Sequence, residues 1–151
     1  MARLRRGSTV LQTAVVMPVL LMVAMGVIEF GQFLYIRSAF QAAARDAARA
    51  TSLPGATQTA VQNVAIATLA QANVVPPDIT QWMTIVDIPV SGGSGTATTD
   101  VTTIPSGDRA QVTITTSYYQ VPNAFHPLHD IFGKGISSGK QVSGVCTVVK
   151  E

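Results

Sequence analysis

The residues best equipped for chemistry in this chain are His126 and His129 in "FHPLHD", with Asp130 beside the second, and the single cysteine, Cys146. Imidazoles and carboxylates hold zinc or pass protons, but two histidines and one carboxylate make too small a ligand set without distant partners. Pro127 also prevents the regular helix that would make this spacing useful, because it has no N–H to donate and its ring clashes with the preceding turn. A solvated loop is the simpler reading, and no metal is expected. Cys146 has no histidine at a recognisable spacing and falls in a run dense in valine and threonine, where a lone thiol reads as a small apolar group. Asp78, Asp87, Asp100 and Asp108 lie in turns or strand-like stretches with no paired arrangement. Phosphate-loop, dinucleotide and G-x-S-x-G patterns are absent. The sequence therefore argues for no catalytic residue and no cofactor.

Composition directs attention elsewhere. The chain has 151 residues, enough for one modest domain and its extensions. Its charged fraction of 12% is about half the usual quarter, and its mean hydropathy of +0.33 is high for a soluble chain. Arg3, Arg5 and Arg6 exceed the net charge of +2 by themselves, and no basic stripe interleaved with aromatics follows, so nucleic acid is a poor partner. One cysteine permits no intrachain disulfide.

From Ser8 to Ile28 no residue carries a formal charge. As helix this run spans about 31 Å, close to the roughly 30 Å hydrocarbon core of a bilayer. The arginines before it place the N-terminus in the cytoplasm and the rest of the chain outside. A secretory signal has a shorter apolar core, of about 7–15 residues, although the small residues Ala42-Ala43-Ala44 keep cleaved export open. Pro18 removes one helical hydrogen bond and should loosen the helix locally, which membrane helices tolerate in company.

The helical pattern continues past the membrane edge. Phe33, Ile36, Phe40, Ala43, Ala47 and Ala50 recur in steps of three and four, whereas Arg37, Gln41, Arg45 and Arg49 fall on another face. One helix from near Ser8 to near Ala50 is expected. Glu29 lies close to its apolar stripe, either reaching headgroup water or pairing with another copy or subunit. The alanine-rich stripe is first a face for packing against the chain's own domain, on its second helix or its sheet, and it is also what close helix-to-helix assembly uses.

Leu53-Pro54-Gly55 breaks the pattern, and Thr57 is placed to cap a second helix whose face is Val61, Val64, Ala65, Thr68, Leu69 and Ala72. Asn73 and Pro76-Pro77 should end it. Thereafter the period becomes two. Trp82, Thr84, Val86, Ile88 and Val90 form one alternation, and Ala110, Val112, Ile114, Thr116 and Tyr118 form a cleaner one. A third strand is expected within Lys140 to Val149, where Gly144 signals a bulge or a close backbone approach. A short edge strand is expected around Val101 to Ile104, in an otherwise flexible polar connection. The fold class is α+β: a long N-terminal transmembrane helix continuing into a small head with a second helix and a three- to four-stranded antiparallel sheet. The chain divides into a basic leader (1–7), a transmembrane and stalk helix (8–50) and an exported head (51–151).

The block "RRGSTVLQTAVVMPVLLMVAMGVIEFGQFLYIRSAFQAAARDAARA" resembles the N-terminal signature of the TadE-like family, minor pilins or pseudopilins of the bacterial tight-adherence (Tad) pilus. Carrying the resemblance are Arg5-Arg6-Gly7, the internal Pro18, Ile28-Glu29-Phe30-Gly31 and the ending Arg45-Asp46-Ala47-Ala48-Arg49, about a third of the chain. It implies cleavage between Gly7 and Ser8 by a prepilin peptidase, residence in the inner membrane with the head outside, and contact with the bilayer, other pilins and the pilus assembly platform. It also implies packing in the assembly through Gln12, Pro18, Glu29 and the Phe33–Ile36–Phe40–Ala43–Ala47 stripe, and a role in pilus assembly and adhesion without catalysis. One departure stands out: the fifth residue after the cleavage point is typically glutamate in this family, and here it is Gln12. A neutral amide is less costly to bury than an unpaired carboxylate, so insertion becomes easier and the assembly contact weaker. The competing reading is an unprocessed single-pass anchor presenting an extracytoplasmic binding domain.

Overall fold

Residues Leu4–Ser52 form one helix, α1, which continues through Pro18. The structure, a computed structural model, describes residues 4–124 and 139–151. The helix begins a turn before the expected start at Ser8 and runs two residues beyond Ala50. In its last turn the Thr51 and Ser52 hydroxyls donate to the carbonyls of Ala47 (2.9 Å) and Arg49 (2.8 Å). Gly55, with φ 76°, then turns the chain, a left-handed backbone that glycine adopts without a Cβ penalty.

The second helix, α2 (Gln58–Gln71), starts where Thr57 accepts a hydrogen bond from the Ala60 amide at 3.3 Å. Asn73 ends it in the left-handed region, at φ 58°. The Val74 amide donates to the Leu69 carbonyl and the Asn73 amide to that of Ala70, the paired bonds of a Schellman turn. Val61, Ala65 and Leu69 are its buried face. A single turn, α3 (Ile79–Trp82), follows, with the Asp78 carboxylate accepting from the Thr80 amide at 2.9 Å.

Four strands complete the head: β1 (Met83–Ile88), β2 (Thr96–Thr98), β3 (Arg109–Ser117) and β4 (Gln141–Val149). They form one antiparallel sheet in the order β2-β1-β3-β4. In β3 the expected inner face holds, with Ala110, Val112, Ile114 and Thr116 buried. The strand ends at Ser117, and Tyr118 opens a short 3-10 turn while its side chain stays buried.

Two expectations fail. In β1 the buried positions are Met83 and Ile85, the parity opposite to the expected Thr84, Val86 and Ile88, because Trp82 belongs to α3 and does not set the phase of the strand. The edge strand is Thr96–Thr98, not 101–104. Val101–Thr103 is instead a 3-10 turn, nucleated by the Asp100 carboxylate accepting from the Thr102 amide at 2.9 Å.

The core lies where the second half of α1 meets β3, β4 and α2. Phe40 stacks on Trp82 with centroids 5.8 Å apart, and Phe33 meets Tyr118 edge-on at 5.3 Å. Gly144 of β4 sits opposite Ile114 and faces α1, where an added Cβ would collide with the Phe40 carbonyl and lie 2.7 Å from the Gln41 amide nitrogen. This is the close backbone approach expected at Gly144.

Candidate functional site

The functional element is α1, and it divides by burial. From Val10 to Met22 every side chain is exposed, Gln12 and Pro18 among them, and the large apolar side chains of this stretch have nothing of their own chain to cover them. Past Gln32 one stripe is buried: Ile36, Ala39, Phe40, Ala43, Ala44, Ala47 and Ala48, with Phe33 half-covered beside them. Alanines permit this because small side chains let the helix backbone approach the sheet, and Gly144 removes the last Cβ from the contact. Gly7 and Ser8 lie in the first turns of the helix.

The placement selects one of the two roles the sequence allows the stripe, packing against the chain's own second helix and sheet. Ile36, Phe40, Ala43 and Ala47 are closed inside their own head, so the alanine stripe is the spine of the domain and not a face open to neighbouring copies. The surface that α1 leaves exposed carries Arg37, Ser38, Arg45 and Arg49 above the apolar segment.

Glu29 is enclosed as well. It does not reach water, since its relative exposure is 0%. The nearby phenol of Tyr118 is also fully buried; burial first, and the Glu29 charge second, push its pKa above the ordinary tyrosine value. Tyr118 in turn packs against Phe33, one turn along α1 from Glu29. Glu29, Phe33 and Tyr118 thus form a junction between the end of the apolar segment and the head.

In the ending of the sequence signature, Asp46 is the member that reaches across. Its carboxylate accepts from the Thr68 hydroxyl of α2 at 3.1 Å, a hydroxyl that also lies 3.1 Å from the Val64 carbonyl. Arg49 stands 3.9 Å from Asp46 on the open surface, and Arg45 is exposed. Asp46 therefore joins the two helices while the arginines face outward.

Sequence reasoning missed Lys150. This lysine is buried, and its ammonium donates to the carbonyls of Val101 (2.7 Å) and Ile104 (2.9 Å), clamping the 3-10 turn. Asp100 at the head of that turn has its pKa lowered, first by the Thr102 amide and then by the Thr102 hydroxyl, with Lys150 adding to the effect. The signal was present only as a lysine after a strand-like run with valines at 142, 145, 148 and 149.

Cys146 is half-buried at the edge of the core, opposite Val112. His126, His129 and Asp130 lie outside the described residues. Among the described residues no group of three or more histidine, cysteine, aspartate or glutamate side chains is placed to hold a metal.

These features define a class: a small α+β head built on the outer half of one long helix whose other half is apolar, uncovered and long enough to cross a membrane. The family model described as TadE-like protein matches residues 7–49, the segment that carries the sequence resemblance. The match covers α1 alone, and the apolar part of that helix has the length and composition of a membrane span. No curated protein and no solved structure matches the chain.

Proposed function

We propose that this protein is a non-catalytic minor pilin or pseudopilin of a Tad-type pilus, cleaved between Gly7 and Ser8 by a prepilin peptidase and acting in pilus assembly and adhesion. The observation that carries the reading is that the TadE-like match coincides with a helix of two unlike halves. Its first half is apolar and unburied, and its second half is the core of the head. Such a helix holds the head to the inner membrane and can pass into a filament by exchanging lipid for the apolar helices of other subunits. In this reading the N-terminus is cytoplasmic, the head is extracytoplasmic, and the partners are the bilayer, the peptidase, other pilins and the assembly platform.

The test is the N-terminal residue and intact mass of the protein recovered from membranes, with and without the peptidase. A chain beginning at Ser8 only when the peptidase is present supports the proposal. A chain that keeps its original N-terminus in both strains overturns processing.

Gln12 supports a second reading, the unprocessed single-pass anchor that presents a binding head, because the glutamate typical of the family is missing at the assembly-forming end of the helix. Substitutions on the exposed face separate the two, since those at Glu29 or Ala47 would disturb the head itself. Pili lost in Ala14→Leu or Ala24→Leu, with normal membrane levels of the protein, favour assembly; unchanged pili favour the anchor.

A further inference from the structure

We propose that the base of the head rests in the interfacial layer of the bilayer, on a belt formed by Phe30, Leu34 and Tyr35 of α1 with Tyr119 and Val75 of the head, so that the membrane boundary lies at Arg37 and not at Glu29. The proposal rests on the reading of α1 as a membrane anchor and gives that anchor a depth.

Glu29 is the first charged residue after the apolar run, and in sequence it marks the exit to water. In the structure it is enclosed by its own chain and presents no charge to the surroundings. The surface that α1 does present continues without charge through Val27, Ile28, Phe30, Leu34 and Tyr35, all exposed. The first exposed charge is Arg37. From Val10 to Tyr35 this surface runs about 38 Å at 1.5 Å per residue. That exceeds the roughly 30 Å hydrocarbon core and fits within the 40–45 Å that includes the headgroups. A tilt of about 20° shortens it only to about 36 Å. The excess therefore lies among the headgroups.

The head has matching chemistry at the same level of the helix. A groove of about 240 Å³ has Gln32, Tyr35 and Ile36 on one wall and residues 72–74 and 122–124 on the other. Phe33 meets Tyr118 just beside it. The two head segments, 72–77 and 118–124, contain no aspartate, glutamate, lysine or arginine, and they expose Val75 and Tyr119. Tyrosines favour the boundary between lipid and water, where the ring is buried and the hydroxyl stays wet. Arg37, one step beyond, can lay its stem along the same surface and hold its guanidinium among the phosphates. Lipid is the occupant because Tyr35, the last residue of the uncovered apolar face of α1, also lines this groove, and that face ends, at Arg37, within the thickness of a bilayer.

The experiment uses the full chain in phosphatidylcholine liposomes, carrying Cys146→Ser and one new cysteine labelled with an environment-sensitive dye. The positions are Leu20, Tyr35, Tyr119 and, as a distal control, Ser106. Ser106 lies near Glu151, whose amide bonds the Ser52 carbonyl, about 25 Å along α1 from Tyr35. Each dye is challenged with lipids carrying a nitroxide near the headgroup or near the chain end, and with aqueous iodide, and circular dichroism checks that each variant keeps its fold. The expected result is loss of emission to the lipid nitroxide at Leu20, Tyr35 and Tyr119, with Ser106 quenched by iodide alone. Quenching by lipid at Leu20 but not at Tyr35 or Tyr119 overturns the proposal and leaves the anchor reading standing. No lipid quenching at Leu20 overturns both. Dyes at Tyr35 and Tyr119 that are shielded from both quenchers, and brighten when unlabelled chain is added, identify a second copy as the occupant and overturn the lipid belt.

Discussion

Gly144 lies directly against the backbone of Phe40, and any β-carbon at that position would occupy the space of the Phe40 carbonyl. The contact is backbone to backbone, so no flexible side chain can move aside. Gly144→Ala is therefore expected to destabilise the head by at least the upper end of the roughly 1–3 kcal/mol that overpacking costs. Thermal unfolding in detergent checks this. Gly31, with open space around its missing Cβ, is the control, and Gly31→Ala should leave the midpoint unchanged or slightly raised. Equal midpoints for the two variants would refute the close approach.

Glu29 and Tyr118 should behave as a coupled pair. In a cycle of Glu29→Gln, Tyr118→Phe and the double variant, a nonadditive term of about 0.5–3 kcal/mol is expected, the range for groups in one buried network. Additivity would mean that the two do not sense each other. The pH dependence has a definite sign. The phenol pKa is raised in the folded state, so above about pH 10 the unfolded chain releases a proton that the folded chain retains. The contribution of Tyr118 is thus fully present below about pH 10 and declines as pH rises through the folded value. Tyr118→Phe should flatten that alkaline limb in a plot of unfolding free energy against pH.

How much of this was readable beforehand depends on whether a segment's apolar residues had one face to choose. In β3 apolar and polar positions alternate, and the inner face was legible. In β1 both parities are apolar, Met83 and Ile85 on one and Val86 and Ile88 on the other, so pattern alone could not choose and the neighbouring Trp82 misled. The edge strand was misplaced because the threonines of 96–103 suit a strand or a capped turn equally well, and Asp100 decides by capping the turn. Glu29 was correctly put near the apolar stripe of α1, but the Tyr118 that meets it comes from far along the chain, a relation that no local period encodes. The stripe was legible as a packing face toward the second helix or the sheet; the pattern could not choose between that and a helix bundle, since alanines serve a domain core and a helix bundle alike.

Lys150 supplies a test of the clamp on the 3-10 turn. Replacing it by methionine keeps much of the buried stem and leaves the Val101 and Ile104 carbonyls without their charged donor. The Val101 carbonyl keeps its bond from the Ile104 amide, but the Ile104 carbonyl loses its donor, and an unsatisfied buried polar group costs about 1–3 kcal/mol, so Lys150→Met should lower stability by about that much. The loss should also be local first. Amide hydrogen exchange at Thr103 and Ile104, whose N–H groups bond back to Asp100 and Val101, is expected to speed up before that of β3. Uniform acceleration across the sheet would show that Lys150 supports the whole fold and not the turn.

Asp46 and Arg49 are neighbours in the family-like ending of α1, and the structure assigns them unequal weights. The pair they form is exposed and 3.9 Å apart, a geometry for which exposed ion pairs contribute about 0–1 kcal/mol, screened by salt. Asp46 also accepts from Thr68 across the α1–α2 interface, where a hydrogen bond to a charged group is worth about 1.5–3 kcal/mol. Arg49→Ala should therefore be nearly silent in thermal unfolding, whereas Asp46→Ala should lower the midpoint and Thr68→Val should reproduce much of that loss. The Asp46→Ala and Thr68→Val losses should fall short of additive when combined, because either substitution alone removes the bond. If Arg49→Ala proves the more damaging change, the arginine is the structural member, and the outward-facing role assigned to it is wrong.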